Sequence, residues 1–423
     1  MGLIWLLMSV SVFGASHEAS EFSWPAITKE ARPWTYWWWL GSAVDKENLT
    51  RTLEMYRKGG MGGVHLVCIY GVKGWEDRFL DFLSPKWMEM LAHTTAEAKR
   101  LDLGFDMSTT TGWPMGGPQI SPAEAAKKVI FKTYALRSGE RLNQKIEAEG
   151  QLQALMAYSD QGKIVNLTKK IDKNGILDWT ASPGTWELYA VFQGWTQMMV
   201  KRSAPGGAGY VLDPFSAKAM RHYLKRFDRA FADYTGEMPR AFYHDSYEYY
   251  GADWTDDFFE QFKSRRGYDL RNYLPFFLGK GPDEIVARIK CDYRETIAEL
   301  YLEEHIMTWI NWGHAKGVLH RNMAHKSPGN LIDTYAAGDI PDTEIYGPQR
   351  DRLLAKGRYA SSSAHLAGRQ LLACEACTWI GEHFTVSLAL VKSAIDLLFV
   401  GGVNHITYHG MTYSPAGEPW PGW

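Results

Sequence analysis

The chain has 423 residues, a formal net charge of −2 and 45% apolar residues, enough for one large or two ordinary domains with ample core. So balanced a charge leaves no electrostatic case for nucleic acid or for an acidic membrane surface. The 18 Trp and 22 Tyr are chiefly core and interface material, although aromatic faces also stack on the C–H faces of pyranose rings.

Residues 1–18 read as a signal peptide. The apolar run over 3–13 is too short to span a bilayer, and Gly14, Ala15 and Ser16 suit a cleavage site, although no Lys or Arg precedes the run. Export to a periplasm or out of the cell follows. No later stretch is expected to span a membrane, because the apolar run near 390–403 is broken by Lys392 and Asp396. Cys68, Cys291, Cys374 and Cys377 are too few for a disulfide scaffold, and Cys374-x-x-Cys377 lacks the second pair a zinc site needs.

After a polar lead, RPWTYWWWLGS predicts a buried strand. Asp45 then caps a helix that Gly59–Gly60 stop. Strand GGVHLVCIYG follows, and Ser84–Pro85 open a second helix that leads through Gly104 into strand FDMS. Two β–α units with short connections predict a parallel sheet. The loop STTTGWPMGGPQI, with Trp113, suits a pocket wall. Between about 129 and 213 the texture changes to β-rich segments separated by turns, which predicts a small β-domain inserted into a barrel formed by 30–128 and 214–423. The helical period resumes from Ser216, with Met220, Tyr223, Leu224, Phe227 and Phe231 on one face. Strand AFYHDSYE follows, then a helix capped by Thr255 and a long or broken helix over 284–316. Strands VLHRNMAH, DIPDTEIY, LLACEACTW and VNHITYHG bring the count to eight. The expected fold class is α/β, a (β/α)₈ TIM barrel with an inserted β-rich domain.

Strand after strand ends in polar chemistry, as a (β/α)₈ barrel builds its site. His65, Asp106, Asp245, Glu248, Asp342, Glu344, Glu375, His405 and His409 all sit on or just after strands, with His320 and His325 on the fifth. Two carboxylates across a pocket are what glycoside cleavage needs, one to protonate the leaving oxygen and one to activate water or attack. Glu248, Glu344 and Glu375 are the candidates. The histidines suit sugar hydroxyls, while no HExxH spacing supports a transition metal. Oxygen donors among the same loops would suit a hard cation such as calcium. Serine chemistry has no G-x-S-x-G elbow, phosphate chemistry has no Walker A loop, and Gly206–Gly207–Ala208–Gly209 is not at a strand–helix turn.

The segments RPWTYWWWLGSAVDKENLTRTLE, TTTGWPMGGP, HDSYEYYGADWTDDF, DTEIYG and EACTWIGEHFTVSLALVKSAIDLLFVGGVNHITYHGMTYSP, taken in order, resemble glycoside hydrolase family 106, the α-L-rhamnosidases. The resemblance covers most of residues 30–420. It implies hydrolysis of terminal α-L-rhamnose from glycans or glycosides with inversion, and a calcium ion that helps hold the sugar. It makes Glu248 the general acid and Glu344 the general base, with Glu375 near calcium or sugar. His65, Asp106, Trp113, Asp245, His325, Asp342, His405 and His409 are the expected substrate contacts. An aromatic setting of Tyr247, Tyr249 and Trp254 would keep Glu248 protonated by desolvation. The resemblance implies that family members usually carry long β-rich domains after the barrel, and none is expected within these 423 residues. The alternatives are a non-catalytic sugar-binding remnant and a glycosidase for another sugar.

Overall fold

In a computed structural model that describes residues 24–346, 350–379 and 381–423, eight parallel strands close a barrel in sequence order. The expected signal peptide lies outside the described residues. The strands are β1 (Trp34–Leu40), β2 (Gly63–Ile69), β3 (Gly104–Thr111), β4 (Ala241–His244), β5 (Leu319–Met323), β6 (Ile340–Tyr346), β7 (Ala373–Thr378) and β8 (His405–Thr412). Each pairs with the next, and β1 closes on β8. Alternation along β1 shows how the layers form. Tyr36 and Trp38 point into the barrel with Tyr243 and Met323, while Trp37 and Trp39 pack outward with Leu49, Leu53 and Trp87 of the surrounding helices.

Local signals held where they were strong. Asp45 caps helix Lys46–Lys58 by accepting from the Asn48 N–H at 2.9 Å, and Ser84 caps Pro85–Arg100. One reading needs correction. Thr255 is not a helix cap, because its hydroxyl donates to the buried Asp213 at 2.7 Å and helix Phe258–Arg266 starts after Asp257. The expected helix over 284–316 is a run from Asp283 to His314 with a π-helical turn at Tyr301–Ile306.

Between β3 and β4 lies a four-stranded antiparallel sheet of residues 127–137, 185–195, 151–159 and 164–166, in that spatial order. One face buries Leu155, Leu188, Trp186 and Phe192 in its own cluster, while Met156, Tyr189 and Val191 from the sheet join the main core. The return segment pairs Tyr210–Val211 with Gly116–Gly117 and bridges Lys201 to Trp113. Gly112, at φ +57°, permits this approach, since a Cβ there would stand 1.9 Å from the Lys201 carbonyl oxygen. The segment is thereby fixed at the barrel mouth.

Candidate active site

The C-terminal strand ends open into a cleft of about 830 Å³, lined by Asp245, Glu248, Glu344 and Glu375. Glu344 and Glu375 are register partners on β6 and β7, so both face inward at the same height. β4 stops at His244. There the Asp245 carboxylate accepts from the Ser246 N–H at 2.7 Å, a local bond that competes with the ladder and turns the chain towards Glu248.

The Lys201 ammonium donates to Glu248 Oε2 at 2.7 Å and also lies 4.3 Å above the Tyr250 ring. This differs from the aromatic setting anticipated for Glu248. Tyr247 packs edge-on against Tyr301 at 5.0 Å and Trp254 against Phe258 at 4.3 Å, so those rings face the helical layer. Tyr249 joins the first group, with its hydroxyl 3.0 Å from His305 Nε2.

Glu344 is 2% exposed, and His325 Nε2 lies 3.1 Å from its Oε1. Burial, aided by the charges of Lys356 and Lys326, pushes the His325 imidazole down to about 4, so at neutral pH it meets Glu344 uncharged. Glu375 accepts from the Thr378 hydroxyl at 2.8 Å and stands 3.9 Å from His409 Nε2. Burial, reinforced by the charges of Asp245 and Glu344, raises its pKa well above the ordinary carboxylate range. Burial and the neighbouring Glu344 and Glu248 likewise push Asp245 up to about 7. Trp38, Tyr36, Trp113 and Trp379 supply aromatic wall, and His409 sits edge-on to Trp38 with its pKa pushed by burial down to about 4.

Of the expected sugar contacts, Trp113, Asp245, Glu375 and His409 line this cleft, and His325 touches it through Glu344. His65, Asp106, Asp342 and His405 do not line it. All four are fully buried and lie deeper in the barrel. Asp106 accepts from Arg240 Nε at 2.9 Å and Nη2 at 2.6 Å, and Asp342 pairs with the fully buried Arg321. His65 Nε2 bonds Ser108 Oγ at 3.0 Å, and His405 Nδ1 bonds the Glu30 carbonyl at 3.0 Å. Each strand carries these groups earlier than its cleft residue, so they form an ionic floor beneath the site. His320 sits near the start of β5, at the opposite end from the mouth. Lys201 and Arg202 were missed by sequence reading. Their only signal is a basic pair at the end of the inserted β-rich region.

For a hard cation, the oxygens of Asp245 and Glu375 are the appropriate donors in chemistry; burial, reinforced by neighbouring carboxylates, raises both pKa values, a cost that a bound cation would relieve. Among the described residues, the grouping of ligand atoms close enough to converge on one ion is His314, His320 and Asp339. It lies at the N-terminal end of the barrel, remote from the cleft. All four cysteines are free thiols.

A family model described as alpha-L-rhamnosidase matches residues 26–157 and 153–423. A protein of Formosa agariphila with the provisional name β-glucuronidase is 25% identical over 468 residues, spanning 97% of this chain and 40% of its own. The solved rhamnosidase from Novosphingobium sp. PP1Y superposes with a TM-score of 0.81 at 20% identity, over 93% of this chain and 56% of that one. The chain therefore spans only about half the length of these relatives.

Proposed function

The chain belongs to the α-L-rhamnosidase family of glycoside hydrolases, and from that premise we propose that it is an exported, inverting hydrolase of terminal α-L-rhamnosides. Its substrate would be a rhamnosylated glycan or glycoside. The observation that carries the proposal is the meeting of Glu248, from the loop after β4, and Glu344, from β6, in one aromatic-walled cleft. Both act electrostatically on Asp245 and on Tyr250.

Glu344, buried beside a neutral imidazole, would take the proton from a water attacking the anomeric carbon. Glu248 would give its proton to the departing glycosidic oxygen from the opposite face. For that the Lys201 ammonium must leave its carboxylate, and the Tyr250 ring offers a cation–π resting place that it already touches. Trp38 and Trp113 would stack on the sugar ring. Asp245 and Glu375 would take its hydroxyls, directly or through calcium, which when bound supplies a fixed positive charge for them. Residues 129–213 would act as an inserted domain whose return segment delivers Lys201 to the acid. The deeper His65, Asp106, Asp342 and His405 would support the cleft without touching sugar.

Glu248→Gln and Glu344→Gln should each abolish hydrolysis of 4-nitrophenyl α-L-rhamnoside while the melting temperature is retained. Near-normal turnover in either variant would refute the assignment. A second reading is a glycosidase for another sugar, a glucuronide being favoured by the two cations in the cleft and by the name of the Formosa agariphila relative. A panel of nitrophenyl glycosides separates the two. A third is a sugar-binding remnant, which calorimetric binding of rhamnosides without turnover would identify.

A further inference from the structure

Among the described residues, two cations line the cleft, Lys201 and Arg202. Lys201 is paired with Glu248. Arg202 forms no ion pair among the described residues. Its guanidinium lies 5.3 Å from the centre of the Tyr70 ring and 5.2 Å from that of Trp113, and donates to the Tyr70 hydroxyl. Between two aromatic faces the guanidinium keeps its plane while most of its five donors stay available.

The backbone around it is unusual. Arg202 has φ +56° and Tyr70 φ +45°, a region that non-glycine residues seldom occupy. The Tyr70 N–H donates to the Arg202 carbonyl at 3.0 Å, so each strained residue holds the other. Such strain persists where the surroundings over-determine it, and it concentrates at ligand clamps. The Arg202 charge also helps depress the pKa of His409, which lines the same cleft.

A cation without an ion-pair partner, in a cleft whose described lining includes five carboxylates, serves a substrate that brings its own negative charge. The preceding residue touches Glu248, the group proposed to protonate the leaving oxygen, so both cations reach the cleft from one segment. We propose that Arg202 is a specificity-determining residue that binds an anionic group, a carboxylate or a sulfate ester, on the sugar unit leaving with that oxygen. This rests on the rhamnosidase reading and names the class of leaving group it would favour: uronyl or sulfated.

The test compares three disaccharides: α-L-rhamnosyl-(1→4)-glucuronate, its neutral counterpart rhamnosyl-(1→4)-glucose, and the 6-sulfate of the latter. A charge-assisted contact of this kind predicts a kcat/KM about tenfold higher for at least one anionic substrate than for the neutral one. Whichever anion shows the preference identifies the source. Arg202→Met should collapse that ratio, and Arg202→Lys should keep part of it. Ratios within about twofold of unity in the wild type, or a preference untouched by Arg202→Met, would overturn the proposal. If the wild type cleaves none of the three, the rhamnosidase reading fails by itself. The same ratios measured as calorimetric Kd values then decide the Arg202 assignment.

Discussion

Asp106→Asn separates the floor of the barrel from its cleft. The carboxylate is fully buried and receives two charge-assisted bonds from Arg240, at 2.9 and 2.6 Å, with Arg321 Nη1 at 3.6 Å. Arg321 is itself fully buried, held otherwise by Asp342 and by the Thr407 hydroxyl at 3.0 Å. Asparagine keeps the shape but leaves two guanidiniums facing one remaining carboxylate. Breaking a buried pair costs about 3–5 kcal/mol. Arg240 is 18% exposed and can partly rehydrate, so the lower end, about 3 kcal/mol, is expected. With an unfolding entropy of about 2.1 cal/mol/K per residue, 423 residues give about 0.9 kcal/mol/K, hence a loss of about 3 °C in melting temperature. Thermal melting by near-ultraviolet circular dichroism, beside kinetics on a nitrophenyl rhamnoside, reads both consequences. KM should hold while the melting temperature falls. An unchanged melting temperature with KM raised tenfold would mean that Asp106 reaches the sugar, and the division between floor and cleft would be wrong.

Asp253 accepts from the Val129 N–H at 2.7 Å, tying the inserted sheet to the loop after β4, and burial pushes its pKa up to about 6 from 3.8. The folded state therefore holds this proton more tightly than the unfolded one, and the group destabilises the fold as pH rises from about 4 to about 6. Asp253→Asn should remove that loss, so its melting temperature should rise relative to wild type across this interval. A difference that stays constant with pH would count against it. Lys201→Met removes the ammonium paired with Glu248, and kcat/KM on a nitrophenyl rhamnoside should change about tenfold while the melting temperature holds. Unchanged kinetics would argue that the pair plays no part in the reaction. Treatment with EDTA should lower both activity and melting temperature, restored by calcium rather than magnesium because the larger ion tolerates irregular oxygen cages. Indifference to the chelator would dismiss the cation.

The alternation of β-strands made the inward-facing set legible, but not its depth. Asp342 and Glu344 lie two apart on β6 and so share a face. Parity alone treats them as equals, yet Asp342 is one layer lower, where Arg321 neutralises it, and Glu344 is at the mouth. The same step separates His405, the first residue of β8, from His409, the fifth. It also separates His320 in β5 from His325 beyond its end. Depth depends on where each strand starts relative to its neighbours, which only pairing across the closed barrel fixes. Lys201 and Arg202 were illegible for a different reason. They come from a segment about 90 residues beyond Trp113 in the chain, and it is the ribbon of Gly116–Gly117 with Tyr210–Val211 that brings the two together. Carboxylates could be anticipated because a buried charge is costly wherever the strand ends. The cations that balance and tune them are recruited from elsewhere in the chain. Sequence reading thus reached the acidic half of the site and left the basic half to the fold.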